Sequence, residues 1–327
     1  MNDSSEALIF GFQVSAEGTV KALAWEDLAQ WSCQDSSSWT WLHLNRHSPQ
    51  AHTWLSEKGA PDALVEAALL QQDSRPRIVR HNDGYLLNLR GVNLNPGASP
   101  EDMISLRMWA TKGYVITSRA SRILAAEDVK TRFESGHPPN GTGGLIALLA
   151  QRLVVRMGPV ISELDEEVDE LEDRLLQKDT QSSMSSVNRF RRTVLTLRRY
   201  LAPQREAIGS FQRDSDGFLT REEQHSLRDT QDTLVRHLED LDMIRDRALL
   251  LQEQMVEERA EAMNTRLFVL AVISAVFLPL GFITGLFGVN IGGMPGVDTP
   301  MAFTILCIGI VMFSVGIVCW FRRLKWL

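Results

Sequence analysis

The chain carries two long uninterrupted apolar runs, and both lie near its C-terminus. Leu267–Phe287 contains 21 residues and Pro300–Phe321 contains 22, and neither run has a charged side chain. A helix of about 20 apolar residues crosses a hydrocarbon core about 30 Å thick. The sequence therefore predicts two transmembrane helices, 267–287 and 300–321, joined by a loop at 288–299, in preference to a pair of buried core helices.

Basic side chains flank the two predicted spans and are missing from the loop between them. The flanking residues are Arg259, Arg266, Arg322, Arg323 and Lys325. Positive charge near the end of a span favours the cytoplasmic side of the membrane. We therefore expect the N- and C-termini to be cytoplasmic, with a short cytoplasmic tail at 322–327 and the loop outside.

Residues 1–140 show a different pattern, in which short alternating runs predict strands. These runs are LIFGFQV, WTWLHLN, GYLLNLRGVNL and MISLRMWATKGYVITS. Between them, 48–59 and 61–71 are typical of helices. The sequence predicts an α+β cytoplasmic domain that ends in a loop at Ser135–Gly144.

Residues 141–266 are predicted to form long stalk helices. One helix carries an apolar, coiled-coil-like stripe at Leu164, Val168, Leu171 and Leu175, with acidic residues on its other, solvated faces. That acidic surface could instead attract cations. A second helix is predicted at Val187–Gly209. A third begins near Thr220, which forms a capping box with Glu223, and meets no strong breaker before Pro279, so it continues into the first span.

The first span has a stripe of positions that alternate in steps of three and four, and we call it the pore stripe. Its members are Asn264, Leu267, Ala271, Ser274, Leu278, Gly281 and Gly285. Small and weakly polar residues at this spacing usually mediate close helix packing in lipid. They can equally line a pore, but one hairpin cannot surround an ion, so a pore requires a symmetric ring of chains.

Composition narrows the choice of function. A net charge of −7 argues against general nucleic-acid binding. No nucleophile elbow, phosphate loop or metalloprotease motif occurs, so we expect neither an enzyme nor a resident cofactor. Gln212–Glu223 resembles a calcium loop but has Gln212 where the first acidic ligand belongs, and we interpret it as an acidic turn. His43, His47 and His52 have no firm metal-ligand spacing.

The residues that close the first span resemble a known family. Gly288-Val289-Asn290, within Phe277–Gly296, is similar to the Gly-x-Asn signature of CorA-type divalent metal transporters. The valine, the NIGG that follows Val289 and the C-terminal KWL resemble the ZntB zinc-transporting branch. Two further features weaken a magnesium assignment, because Gly296 replaces a common acidic residue and Gly281 replaces a common pore threonine.

This resemblance implies a homopentameric funnel in a bacterial inner membrane. Its first span would line the pore, and its second would contact lipid outside. Asn290, with Gly288 and Val289, would ring the outer entrance and hydrogen-bond the water shell of a passing Zn²⁺. The resemblance also implies apolar constrictions at Leu267 and Leu278, and a wider lumen at Gly281 and Gly285.

The resemblance extends to a cytoplasmic segment, RDTQD, whose Asp229 and Asp232 become candidate regulatory cation ligands. Two alternatives to zinc transport remain. One is magnesium, cobalt or nickel transport on the same fold. The other is a membrane-anchored metal sensor or scaffold whose spans only oligomerise.

Overall fold

A computed structural model of the chain describes residues 7–31, 38–71, 75–176, 183–213, 215, 217–289, 296 and 299–323. It divides into two compact units, residues 1–252 and residues 253–327. The strands of the described part are β1 Leu8–Ser15, β2 Val20–Leu23, β3 Ser38–Asn45, β4 Arg77–His81, β5 Gly84–Gly91, β6 Ile104–Ala110 and β7 Tyr114–Arg119. The α-helices are α1 Pro49–Trp54, α2 Ala63–Leu70, α3 Leu124–Glu134, α4 Gly141–Val155, α5 Met157–Leu176, α6 Ser183–Arg213, α7 Arg221–Phe287 and α8 Ala302–Arg323.

The strands form one sheet in the order β2-β1-β3-β7-β6-β5-β4. Only β3 and β7 pair in parallel, and the other described pairs are antiparallel. The predicted strands are confirmed, but β2 and β4 were not anticipated. Both lie at sheet edges and expose much of their length, so their sequences lack the apolar alternation that marks a strand.

The sheet is covered on both faces, and β3 shows how its side chains divide. Leu42 and Leu44 belong to a core cluster with residues of α1 and α2, such as Ala51 and Leu69. On the other face, the ring of Trp41 lies 5.1 Å from that of Phe133 on α3. Helix α3 escaped prediction because two of its four buried side chains are alanines, which give a weak apolar pattern.

The loop predicted at Ser135–Gly144 is shorter in the structure, because α4 already begins at Gly141. Its first turn contains glycines for a steric reason. A Cβ added to Gly143 would lie 2.6 Å from Oε2 of Glu223, and one added to Gly144 would lie 3.2 Å from Oε1. The glycines thus admit a carboxylate from α7 to the N-terminal turn of α4, where the helix dipole favours negative charge.

The long-helix predictions are confirmed. Helix α5 buries Leu164, Val168, Leu171 and Leu175. Helix α6 spans 31 residues and includes the predicted Val187–Gly209. Helix α7 continues for 67 residues from Arg221 to Phe287. In the capping box, the Thr220 N–H donates to Glu223 Oε2 at 2.7 Å, and the Glu223 N–H donates to Thr220 Oγ1 at 3.3 Å.

In the part of the chain that the structure describes, three stretches of helix are long and apolar enough to cross a membrane. In the first, Gly141–Leu176, 56% of the most apolar window is buried, so that stretch contributes to the core of its own unit. In α7 and α8, none of the corresponding window is buried. Apolar helices that stay uncovered in a single chain need lipid or other chains around them.

We expect Thr220→Ala to destabilise the chain by about 1 kcal/mol, because the hydroxyl that caps the first turn of α7 is lost. Thr220→Ser keeps a hydroxyl and should recover most of that loss. Urea unfolding of the full chain in detergent measures both variants. Equal destabilisation by Ala and Ser would contradict the capping role.

Candidate ion path and metal sites

The two apolar helices of the second unit each have one half-buried face. On α7 this face consists of Phe268, Val272, Val276, Pro279, Leu280 and Ile283. On α8 the half-buried positions are Ala302, Leu306, Ile310, Ser314 and Ile317, and they lead to the buried Phe321. Matching faces with this helical spacing are what two packed helices produce. One side of each span is therefore half-buried.

The pore stripe lies on the other side of α7. All seven of its residues are exposed. With 100° of rotation per residue, the stripe points about 150° away from the half-buried face. No atom lies within 4 Å of a Cβ built on Gly281 or Gly285. The stripe is consequently open, and lipid, water or another chain has to cover it.

Two large apolar residues interrupt the small and polar members of this stripe. Leu267 is 53% exposed and Leu278 is 78% exposed. Between and beyond them, Asn264 and Ser274 supply an amide and a hydroxyl, and the glycines leave backbone groups accessible. The stripe contains no His, Cys, Asp or Glu. Its chemistry suits an ion that keeps much of its water shell rather than one bound directly by nitrogen or sulfur ligands.

Helix α7 ends where the Gly-x-Asn signature begins. The Gly288 N–H donates to the carbonyl oxygens of Thr284 at 2.9 Å and Gly285 at 3.2 Å, which closes the last turn. Val289 follows and is 46% exposed. Asn290 lies outside the described residues, so its role as the entrance ring stays a prediction.

The two candidate regulatory residues, Asp229 and Asp232, are exposed on α7. Asp229 Oδ2 lies 3.9 Å from Nε2 of His225, one turn earlier. No group of three or more His, Cys, Asp or Glu side chains in the described part of the chain is arranged to hold a metal. Asp229 and Asp232 therefore do not belong to a complete metal site within the described residues. Asp214 and Asp216 of the acidic turn lie outside the described residues.

The acidic surface of α5 is partly neutralised from within the chain, which the sequence pattern did not reveal. Arg247 of α7 donates to Asp165 at 3.0 Å and to Glu172 at 2.8 Å, and it also bonds Asp169. Hydrogen bonds to Glu172 and Asp169 raise the pKa of Arg247. The three carboxylates are spaced by four and three residues, so they lie along one face of α5. This spacing is the signal in the sequence that could have pointed to one basic side chain as their common partner.

His43 belongs to the core rather than to a metal site. Its ring stacks on Phe10 with centroids 4.6 Å apart, and Nδ1 lies 2.7 Å from Thr117 Oγ1. Burial, reinforced by the charge of Arg119, holds the pKa of His43 well below its usual value. His47 and His52 are exposed, and the Nε2 of His52 is 2.6 Å from the Arg46 carbonyl oxygen. The three histidines do not converge.

We expect the stability of the protein to decrease as the pH falls below about 6.5, the usual histidine pKa. In that range an unfolded His43 takes up a proton while the folded one stays neutral, so the unfolded state binds more protons. His43→Gln removes this titration and should flatten the pH dependence of the urea midpoint. The control variant His52→Gln, at an exposed position, should show the same pH dependence of the urea midpoint as the wild type. If His43→Gln also keeps the wild-type pH dependence, the loss of stability at low pH does not come from protonation of His43.

Comparison with known proteins places these features in a family. The sequence model of the family described as CorA-like Mg²⁺ transporter protein matches residues 36–323. The chain belongs to this family. It is a CorA-family transporter of divalent cations rather than an enzyme, and it is a membrane protein with C-terminal spans.

Several relatives of this CorA-family chain match it over nearly its whole length. Zinc transport protein ZntB of Pectobacterium carotovorum is 31% identical over 98% of this chain and 96% of the relative. Divalent cation transporter CmaX of Pseudomonas aeruginosa is 34% identical over 98% of this chain and 97% of the relative.

Solved structures agree with the fold. The structure of the full-length CmaX protein matches with a TM-score of 0.83 at 32% identity and covers 100% of both chains. The CorA magnesium transporter from Methanocaldococcus jannaschii matches with a TM-score of 0.82 at 17% identity, covering 97% of this chain and 98% of that one. The second likeness concerns the fold alone. The predicted architecture, an α+β domain followed by long helices and two apolar helices, is therefore confirmed.

Proposed function

We propose that this chain is a zinc transporter that acts as a homopentamer in a bacterial inner membrane. The observation that carries the proposal is the open pore stripe of α7, which points away from the half-buried face of that helix. A single hairpin cannot enclose an ion. Five copies arranged around one axis would place the stripe on the inside and leave α8 toward lipid.

The proposed topology follows the charges that flank the spans. Residues 1–140 form a cytoplasmic α+β domain and residues 141–266 a cytoplasmic helical stalk. The spans are 267–287 and 300–321, the external loop is 288–299, and the tail is 322–327. The absence of Lys and Arg from the loop, against five basic residues at the flanks, supports this orientation.

In the proposed path, a hydrated cation first meets the Gly288-Val289-Asn290 entrance. Five neutral amides can hydrogen-bond the water shell of the ion without trapping it through full charge. Leu278 and Leu267 then narrow the path, and dewetting at such apolar rings can close it. Gly281 and Gly285, which lie between the entrance and Leu278, leave room for the hydrated ion. The pore stripe offers Zn²⁺ no His nitrogen or Cys sulfur as a ligand, so the ion passes at least partly hydrated.

The choice of zinc rests on the chain's departures from magnesium-type sequences, Gly281 and Gly296, and on its similarity to proteins named for zinc transport. Magnesium transport is the second candidate, since the family description names that ion. Purified protein in liposomes, with dyes for zinc or magnesium inside, separates the two. Uptake of neither ion, nor of cobalt or nickel, would favour a sensor or scaffold.

We further propose that Asp229 and Asp232 are regulatory cation ligands. Both are exposed on α7, and neither is part of a complete metal site within the described residues of one chain. Carboxylates from a neighbouring copy would complete such a site in a homopentamer.

The topology is tested with single cysteines in a background that lacks Cys33, Cys307 and Cys319. Gly293→Cys should react with a membrane-impermeant thiol reagent added to intact cells, because the loop is placed outside. Ser36→Cys should react only after the cells are broken open. The reverse pattern of labelling would rule out the proposed orientation.

Asn290→Ala should lower zinc uptake at least tenfold while the pentamer still assembles. The variant removes one amide per chain from the entrance, and a hydrogen bond to a charged species contributes about 1.5–3 kcal/mol. A loss of about 1.4 kcal/mol already changes a rate or an affinity tenfold. Zinc flux into liposomes measures the effect, and the mass of the detergent-solubilised protein, expected near five chains, reports assembly.

Asn290→Asp is the matched control because it keeps the size of the side chain and adds a charge. It should bind the cation more tightly and release it more slowly, so that flux saturates at a lower zinc concentration. If Asn290→Ala assembles normally and transports zinc at the wild-type rate, the Asn290 amides do not control entry of the ion.

A further inference from the structure

Helices α5, α6 and α7 pack against one another in the first unit. Helices α5 and α6 run alongside each other, and α7 joins both of them through side chains. Arg247 of α7 bonds carboxylates of α5, and Arg198 of α6 donates to Asp242 of α7 at 2.6 Å. Each helix exposes the side that is turned away from the other two. The exposed faces of α5 and α6 therefore lie on different flanks of this three-helix group.

Helix α5 exposes a strongly acidic face. It consists of Glu163, Glu166, Glu167, Glu170 and Asp173, and we call it the α5 acidic face. At 100° per residue it points about 130° away from the buried apolar stripe of the same helix. Glu170 bonds Arg174, one turn further along, at 3.0 Å. The other four carboxylates have no ion pair among the residues that the structure describes, so most of this negative charge stays uncompensated there.

Helix α6 carries the opposite charge, with seven arginines and one carboxylate. The residues on its outer side are Arg189, Arg192, Leu195 and Arg199, which we call the α6 basic face. None of these three arginines has an ion pair within the described part of the chain. A groove of about 370 Å³ runs along Arg192, Leu195 and Arg199. This flank thus presents unpaired positive charge beside a shallow depression.

Contacts with α7 fix the level of the α5 acidic face. Arg247 bonds three carboxylates of α5 whose middle member is Asp169, near the middle of that face. Earlier on both helices, a Cβ added to Gly158 of α5 would lie 3.7 Å from Cε1 of His237 on α7. These two contacts show that α5 and α7 run in the same direction. The middle of the α5 acidic face is therefore level with residue 247 of α7.

The α6 basic face lies at the same level. Arg191 bonds Gln252, and Arg198 bonds Asp242, so α6 runs opposite to α7 and the two contacts are centred on residue 247 of α7. The α6 basic face is centred between the same two arginines. The middles of the two charged faces thus agree in height to within about one helical turn, 5.4 Å.

A second copy of this chain fits both charged faces. A contact between the α5 acidic face of one copy and the α6 basic face of the next joins unlike surfaces, so it is heterologous and can close a ring by rotation. Rotation about an axis parallel to these helices does not shift one copy along them. The two faces must then lie at one level, as they do. Contacts between two α5 faces or two α6 faces would instead place like charges together, which is unfavourable.

We propose that the α6 basic face of each chain docks on the α5 acidic face of its neighbour and joins the first units of the ring. This proposal rests on the homopentamer of the proposed function and adds which surfaces join its chains. Ion pairs between fully exposed side chains contribute little in water. At an interface, however, rows of opposite charge orient the approaching surfaces and penalise like-charged partners. Leu195, 48% exposed, supplies an apolar centre that the contact would cover.

The geometry is tested with two single-cysteine chains in a background that lacks Cys33, Cys307 and Cys319. One chain carries Glu166→Cys and the other Arg199→Cys, with different affinity tags, and both are produced in the same cells. A short bismaleimide should link them into a product that carries both tags. Each variant produced alone should give no linked pair, because the contact joins unlike faces. Absence of the mixed product would overturn the proposal, whether or not like chains become linked.

Charge reversal tests the pairing itself, on the full chain in detergent. In Arg192→Glu/Arg199→Glu, carboxylates face carboxylates. At the urea concentration that dissociates half of the wild-type oligomer, the oligomeric fraction should then fall at least about threefold. Adding Glu166→Arg/Asp173→Arg, two positions also seven residues apart, restores opposite charges and should recover most of the loss. If the fourfold variant is no more stable than the twofold one, the faces do not pair.

Arg213→Glu is the matched control for the single variant Arg199→Glu. Arg213 is exposed on the same helix but lies 14 residues away, which is about 21 Å along α6 and beyond the level of the α5 acidic face. Its reversal should leave dissociation as in the wild type, whereas Arg199→Glu should promote it. Equal effects of the two variants would show that net charge, and not this contact, governs assembly.

These experiments also distinguish the proposal from the function on which it rests. If the mixed cross-link forms but liposomes take up no divalent cation, the transport function fails and the docking surfaces stand. If the wild type transports zinc and Asn290→Ala blocks transport, but no mixed cross-link forms, the function stands and the docking surfaces are refuted. A wild type that has the mass of one chain in detergent would refute the ring and the docking together.

Discussion

Helix α7 has to satisfy two environments with one continuous backbone, and this constraint organises the protein. In the first unit it buries a stripe that runs from Leu227 to Leu251 among the helices of its own chain. In the second unit its apolar surface has a half-buried face and an open one. An apolar helix in lipid satisfies its own backbone hydrogen bonds, but its side chains still need partners of suitable polarity. The open face is where function has to be sought.

The contacts that hold α7 in the first unit are of two kinds. Apolar packing supplies most of the burial, and specific charged contacts fix the register of the helix. Arg247 binds three carboxylates of α5, and the Glu223 carboxylate reaches the glycine-rich first turn of α4 while it caps α7 itself. Both contacts limit how far α7 can slide or rotate against its neighbours, so a movement of α7 would have to involve α4 and α5 too.

Many carboxylates of the described chain are engaged with arginines, as in Asp128 with Arg156 or Asp242 with Arg198. Asp246, on an exposed face of α7, is engaged as well, with Arg245 at 2.8 Å. Carboxylates that are already paired attract passing cations weakly, so exposure alone does not mark a cation-binding residue on α7.

The sequence by itself determined the two spans, the long third helix, its capping box at Thr220, the buried stripe of α5 and most strands. Each depends on a local period or a local motif that one element carries alone. It also singled out the pore stripe, through the alternation of small residues. The sequence could not determine which side of α7 its own chain covers. Residues spaced by three and four share one face of a helix, but the spacing does not tell which element packs against that face.

Tertiary structure decided the features that join distant segments. The edge segments β2 and β4 are strands because β1 and β5 supply their hydrogen-bond partners. The sequences of β2 and β4 alone show no strand pattern. His43 is a core residue because Phe10 and Thr117 enclose it, and the acidic α5 has a partner because Arg247 lies 75 residues or more away along the chain. Such contacts arise from packing between elements, and no pattern within a single element contains them.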